Sequence, residues 1–122
     1  MSAENEKIVS DFCTAWARMN LDEILGCMTE DAVYHNIPMP PAKGKAAIRA
    51  VIDGFLKMAD AIEFKVVHSA SAGNVVMNER VDSFVYKGGK KGSIPVVGVF
   101  EVAGGKISAW RDYFDMKMAG VG

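Results

Sequence analysis

Residues 76–86 read V-M-N-E-R-V-D-S-F-V-Y, a stretch of apolar and β-branched residues with Arg80 and Asp82 at its centre. These residue types favour strands, so we predict a strand over Val75–Tyr86. Residues two apart share a face of a strand, which places Arg80, Asp82 and Phe84 on the same side. The simplest interpretation of the two charges is an exposed ion pair, worth under about 1 kcal/mol. The alternative is that both face a cavity.

Turn-forming residues separate this stretch from three further predicted strands. Segments 72–74, 88–92 and 104–105 have the Gly- and Asn-rich composition of chain reversals. They bound predicted strands over 62–70, 94–102 and 106–114, which we expect to pair with Val75–Tyr86 as consecutive antiparallel hairpins. One more strand is predicted over 32–37, between a turn at 29–31 and Pro38, which cannot continue a central ladder.

Helical periodicity dominates the first half of the chain. Apolar residues recur at three- and four-residue steps over 5–19 and over Lys45–Met58, and a short helix is predicted over 21–28. Helices followed by a strand meander indicate an α+β fold, in which three helices of the N-terminal half cover the concave face of a curved, mixed sheet. We expect one catalytic domain over residues 1–122, with a frayed tail at 120–122.

Composition excludes several classes of function. The 122 residues are 50% hydrophobic and carry a formal net charge of -1, without a run of Lys or Arg, so nucleic acid and anionic membranes are not expected partners. Neither a signal peptide nor an apolar run of membrane-spanning length is present, which predicts a cytoplasmic protein. Cys13 and Cys27 lack metal-binding spacing, so we expect reduced, buried thiols with neither a metal site nor a disulfide. No cofactor is expected.

Polar residues with large apolar neighbours occur on two other predicted strands. Tyr34 and Asn36 share one face of the first strand, and Trp110, Asp112 and Phe114 share one face of the last. Individually, Tyr34 is compatible with a core tyrosine, Asn36 with a turn before Pro38, and Asp112 with the surface. Jointly, with Arg80 and Asp82, they indicate a small-molecule site in an apolar cavity.

Three motifs follow helices of this kind in a fixed order: Tyr34-x-Asn36-x-Pro38, Arg80-x-Asp82 and Trp110-Arg111-Asp112-Tyr113-Phe114. Over nearly the whole chain, this set resembles the limonene-1,2-epoxide hydrolase family. The resemblance implies the cone-shaped α+β barrel that this family shares with ketosteroid isomerase and nuclear transport factor. We expect the chain to begin directly at its first helix, without the longer N-terminal arm associated with the family's founding enzyme.

The resemblance also implies a role for each residue. Asp112 would be the general base, Asp82 the general acid and Arg80 the bridge between them, while Tyr34 and Asn36 would position the water. Opening an epoxide with water requires one ionised and one protonated carboxyl. Holding Asp82 protonated near pH 7 requires a pKa shift of about three units, or about 4 kcal/mol. Burial and a second carboxylate can supply that shift.

The expected reaction is a one-step addition of water to a small, hydrophobic, cyclic epoxide, without a covalent ester or a metal. Met39, Phe84, Trp110 and Phe114 are expected to line the pocket. Two alternatives remain open. One is a proton-transfer enzyme similar to ketosteroid isomerase or a polyketide cyclase, although the first strand lacks the carboxylate expected of the isomerase. The other is a non-catalytic binding module.

The predicted assembly is a homodimer. Members of the family commonly pair through the open face of the sheet, and the alternation of Val97, Val99 and Glu101 is compatible with a half-buried interface.

Overall fold

Three α-helices and six strands make up residues 2–118, the part of the chain that the computed structural model describes. The helices are α1 (Ser2–Ala15), α2 (Leu21–Gly26) and α3 (Lys45–Met58), and a 3₁₀ turn over Trp16–Arg18 follows α1. The strands are β1 (Met28–Asn36), β2 (Ala42–Lys43), β3 (Ala59–Ala72), β4 (Val75–Tyr86), β5 (Lys91–Ala103) and β6 (Lys106–Tyr113). The predicted tail at 120–122 lies outside the described residues.

The strands form one mixed sheet in the order β2-β1-β6-β5-β4-β3. Strands β3 to β6 pair as the predicted antiparallel meander, with α3 and β4 at their predicted bounds. β1 lies parallel to β6, and the short β2, which the sequence did not predict, lies antiparallel to β1. The predicted α+β class with a curved mixed sheet is therefore confirmed.

The turn predicted at 29–31 is wrong, because these residues belong to β1. The register between β1 and β6 shifts between Met28 and Val33, which marks a bulge. Glu30 and Asp31 are exposed there, whereas Met28 and Ala32 are buried. Exposed acidic residues are typical both of turns and of bulged strands, so the sequence alone did not distinguish a turn from a bulge at 29–31.

Helix α1 covers the inner face of the sheet with a buried stripe that includes Val9, Phe12 and Cys13. It ends at Ala15, earlier than predicted, because the chain tightens into the 3₁₀ turn. Met19 closes that turn in a left-handed conformation with φ 53°. Asn20 then caps α2, since its side-chain oxygen accepts a hydrogen bond from the backbone N–H of Glu23.

Both cysteines are free thiols, but only Cys13 is buried. Cys27 is half-buried at the end of α2, so its predicted burial is wrong. Over residues 2–118, no helix combines the length and apolar character needed to cross a membrane.

Candidate active site

A row of four residues crosses the inner face of the sheet. Asn36 on β1 pairs with Asp112 on β6, Asp112 with Gly98 on β5, and Gly98 with Asn78 on β4. Arg80 follows Asn78 on the same face of β4. Because Gly98 has no side chain, the guanidinium of Arg80 extends across β5 and reaches Asp112. A Cβ atom at position 98 would lie 2.4 Å from Nη1 of Arg80.

The guanidinium uses all five of its donors on neighbouring side chains. Nε and Nη2 of Arg80 donate to Oδ1 and Oδ2 of Asp82 at 3.0 and 2.9 Å. Nη1 and Nη2 donate to Oδ1 and Oδ2 of Asp112 at 3.2 and 2.8 Å, and Nη1 also donates to Oδ1 of Asn78 at 3.1 Å. Arg80 is 0% exposed and each aspartate 4%. We call Asp82, Arg80 and Asp112 the Asp–Arg–Asp cluster.

Burial raises the pKa of both aspartates, against the opposing effect of Arg80. The negative charge of Asp112 raises the pKa of Asp82 further. Burial alone would lower the pKa of Arg80, but the two carboxylates raise it above its ordinary value, so the guanidinium stays charged. A cation flanked by two such carboxyls favours binding of one proton, which would leave the cluster neutral.

Trp110 distinguishes the two carboxyls. Its indole N–H donates to Oδ1 of Asp112 at 2.6 Å, in addition to the two bonds from Arg80. Donors directed at a carboxylate favour its ionised form, and within residues 2–118 Asp82 receives only the two bonds from Arg80. This additional donor favours the ionised form of Asp112 over that of Asp82.

The parallel pairing of β1 with β6 brings the first strand to this cluster. Tyr34 is aligned with Trp110, and their rings stack at 4.0 Å with an interplanar angle of 10°. Burial raises the pKa of Tyr34 well above its ordinary value, so the phenol keeps its proton at neutral pH. Asn36, aligned with Asp112, is also buried. The phenol and the amide thus lie on the strand next to Asp112.

A cavity of about 510 Å³ opens above the aspartates, a volume typical of small-molecule sites. Its lining includes Asp82, Asp112, Tyr34 and Asn36. Most of the remaining wall is apolar, with aromatic residues at Trp16, Phe55, Phe64, Phe84 and Phe114 and methionines at Met39, Met58 and Met118. Lys90 and Lys91 are exposed members of the same lining.

The predicted site residues come together, but not all of them face the cavity. Met39, Phe84 and Phe114 line it as expected. Trp110, predicted as pocket lining, is instead fully buried behind the wall and hydrogen-bonded to Asp112. Arg80 lies behind the wall as well, between the two aspartates.

Sequence reasoning missed four residues: Asn78, Gly98, Trp16 and Phe64. Asn78 could have been found from the alternation of faces along a strand, since it lies two residues before Arg80 and shares its face of β4. Gly98 could have been noticed as a glycine inside a strand, which often marks a close approach. Trp16 and Phe64 stack at 4.7 Å in the cavity wall, and Trp16 Nε1 is buried without a hydrogen-bond partner among residues 2–118. Nothing local in the sequence signals that contact.

No group of three or more His, Cys, Asp or Glu side chains within residues 2–118 is arranged to hold a metal ion. The guanidinium of Arg80 occupies the position between Asp82 and Asp112.

The family model described as limonene-1,2-epoxide hydrolase catalytic domain matches residues 3–119. Among curated proteins, epoxide hydrolase EphG of Mycobacterium tuberculosis is 31% identical over 110 residues, 88% of this chain and 71% of that protein. The structure of an M. tuberculosis LEH-like epoxide hydrolase aligns with a TM-score of 0.84 at 27% identity, covering 95% of this chain and 86% of the other. A putative polyketide cyclase from Xanthomonas campestris aligns with a TM-score of 0.87 at 20% identity, covering 99% and 98% of the two chains, which shows a shared fold only.

Replacing Arg80 by Met should destabilise the fold in a pH-dependent manner. Loss of the cation raises the folded-state pKa of both aspartates further above the ordinary value. The contribution of the two aspartates to the free energy of unfolding is then retained at acid pH. It is lost as the pH rises through their raised folded-state pKa values. We expect a loss of about 3–5 kcal/mol at about pH 8 and a smaller loss at about pH 5, measured by urea unfolding.

Arg18→Met is the matched control, because Arg18 forms an exposed ion pair with Glu23. It should change the unfolding free energy little at either pH. An equal loss at both pH values for Arg80→Met would contradict the electrostatic account of the cluster.

Proposed function

The chain belongs to the limonene-1,2-epoxide hydrolase family, and from this premise we propose that it adds water to an epoxide to give a vicinal diol by general acid/base catalysis. The observation that carries the proposal is the Asp–Arg–Asp cluster, whose two carboxyls line an otherwise largely apolar cavity. The similarity to EphG, itself named an epoxide hydrolase, supports the same reaction class.

Asp112 acts as the general base in this proposal. It takes a proton from a water molecule that Tyr34 and Asn36 position, and the water oxygen forms a bond to one epoxide carbon. Three donors to the Asp112 carboxylate support this role, since they favour the ionised form that a base requires. The neutral phenol of Tyr34 and the amide of Asn36 can both donate to and accept from a water.

Asp82 acts as the general acid. It gives its proton to the epoxide oxygen as the C–O bond breaks, so that no free alkoxide has to leave. The proton gained by Asp112 returns to Asp82 after the diol departs, and the cluster regains its starting state. The raised pKa of Asp82, caused first by burial, supports its protonated form before reaction. Arg80 stays charged throughout and has no spare donor for the substrate.

The substrate of this proposal is a small, hydrophobic and cyclic epoxide. Aromatic side chains and methionines form most of the cavity wall, and the polar groups are concentrated at the aspartates. An apolar ring gains by leaving water for such a wall, while the epoxide oxygen meets Asp82.

A proton-transfer reaction next to a carbonyl is the second candidate, because a putative polyketide cyclase shares the fold. Such an enzyme would also use an aspartate in an apolar cavity. The presence of Tyr34 and Asn36 beside Asp112 favours the hydrolase, since a water needs both donors and acceptors around it.

The proposed assembly is a homodimer formed through the outer face of the sheet. This face carries Met77, Val81, Val97 and Tyr113, which are 37–47% exposed. In the ladders Val97 lies between Glu79 on β4 and Tyr113 on β6. The four exposed apolar residues therefore lie on three neighbouring strands, β4, β5 and β6. Val99 and Glu101, predicted at the same interface, lie on this face as well and are half-buried in the single chain.

Asp112→Asn and Asp82→Asn should each reduce the rate of diol formation by at least about 10²-fold, because each removes one proton-transfer group. The measurement is a screen of cyclic and linear epoxides, with thermal unfolding to verify the fold. Asp115→Asn is the control, since Asp115 is exposed just beyond β6. Near-normal turnover by either site variant would assign its role to another group.

A single turnover in ¹⁸O-labelled water should place the label in the diol and none in the protein. Direct attack transfers the oxygen of the water straight to carbon, whereas an ester route would transfer a carboxylate oxygen first. Mass spectrometry of the diol and of the peptides containing Asp82 and Asp112 distinguishes the two. Label found first in either aspartate would exclude direct attack.

Val97→Lys should convert the dimer into a monomer, because it places a charge in the proposed apolar contact. Ala47→Lys, at an exposed position of α3, is the control and should remain dimeric. Analytical ultracentrifugation measures the mass of each. A monomeric wild-type protein, or a dimeric Val97→Lys variant, would contradict the proposed assembly.

A further inference from the structure

We propose that Asn78 is a positioning residue for Arg80: its carbonyl oxygen accepts the fifth donor of the guanidinium, and its neutrality keeps a third anion out of the Asp–Arg–Asp cluster. This inference rests on the proposed function, because it concerns how the acid and the base of that reaction are held. Asn78 is 3% exposed and contacts Arg80 rather than the cavity.

The contacts of Asn78 fix the orientation of its amide. Oδ1 accepts from Nη1 of Arg80 at 3.1 Å, and Nδ2 donates to Sγ of Cys13 on α1 at 3.6 Å. The reverse orientation would direct two N–H groups at each other. Burial raises the pKa of Cys13 to about 12, so the sulfur remains a neutral thiol at physiological pH. Asn78 therefore connects α1 to the guanidinium without adding charge.

Gly98 and two aromatic rings form the remaining surroundings of the guanidinium. A Cβ atom at position 98 would lie 2.4 Å from Nη1 of Arg80, 2.9 Å from Oδ1 of Asn78 and 2.8 Å from Cε1 of Phe100. The rings of Phe64 and Phe100 lie 4.9 and 6.0 Å from Cζ of Arg80. Asn78 accepts the remaining N–H of Nη1, the nitrogen that also donates to Asp112. These contacts therefore fix the orientation of the guanidinium plane, and they also fix the separation of the two carboxyls.

The charge at position 78 matters because few ionisable groups face the cluster. In the described chain they are Asp82 and Arg80 on β4, Asp112 on β6, Tyr34 on β1 and Cys13 on α1, with Tyr86, Lys90 and Lys91 further along the cavity lining. β3 and α3 present Phe64 and Phe55 to the cavity. A carboxylate at 78 would compete for the one guanidinium and raise the pKa of both aspartates.

Two variants separate the charge of Asn78 from its hydrogen bond. Asn78→Asp, of the same shape, should move the pH profile of kcat/KM upward by about one pH unit, because Asp112 then ionises only at higher pH. Asn78→Leu removes the acceptor and should lower kcat roughly 10- to 100-fold through misplacement of the cluster. KM should stay within about twofold in both, since Asn78 does not line the cavity.

Asn74→Asp is the matched control, because Asn74 is exposed in the turn between β3 and β4. It should keep the wild-type profile and kcat. A purely structural role for Asn78 predicts a smaller folded fraction with an unchanged pH profile, and that result would overturn the proposal. So would wild-type kcat in Asn78→Leu.

A ¹³C titration of the aspartate carboxyls provides a readout that needs no substrate. The titration of Asp82 and Asp112 should shift to higher pH in Asn78→Asp and stay unchanged in Asn74→Asp. Unshifted carboxyls would overturn the role of Asn78. Failure of the wild-type protein to open any epoxide would instead remove the proposed function, while the titration would still decide what Asn78 does to the cluster.

Discussion

A guanidinium withdrawn from water must have every N–H group paired, and this requirement organises the inner face of the sheet. Arg80 satisfies it with three oxygen-bearing side chains, two on its own strand and Asp112 two strands away. Reaching Asp112 requires that the intervening strand offer no side chain, which Gly98 provides. An unpaired buried charge would cost several kcal/mol, so cation, acceptors and glycine depend on one another.

The same arrangement separates the tasks of two chemically identical groups. Both carboxyls bind the same cation, but Asp112 also accepts the indole N–H of Trp110, and that ring rests on Tyr34. The difference between the two carboxyls therefore originates in the stacked pair of Tyr34 on β1 and Trp110 on β6, and not in the ion pairs. It fits the general pattern in which neighbouring carboxyls acquire different roles from their surroundings.

Local sequence patterns predicted the local features well. The strand-forming residue types of β4 and the apolar spacing of α3 predicted the observed bounds, and the two-residue spacing predicted that Arg80 and Asp82 share a face. The features that were missed depend on register between distant strands: the parallel contact of β1 with β6, the position of Gly98 between Asp112 and Asn78, and the bulge near residue 30. Residue types do not encode which residues lie opposite one another, so Trp110 was assigned to the cavity wall although its indole contacts Asp112 from behind it.

The strand order has a consequence for synthesis of the chain. β6 is made after the other five described strands but lies between β1 and β5, so until β6 emerges β1 has only the two-residue β2 as a partner among these strands. Until then Arg80 has Asp82 as a counter-ion but not Asp112. The pairing of β1 with the meander, and the hydrogen bonds from Arg80 to Asp112, therefore cannot form until β6 has been synthesised.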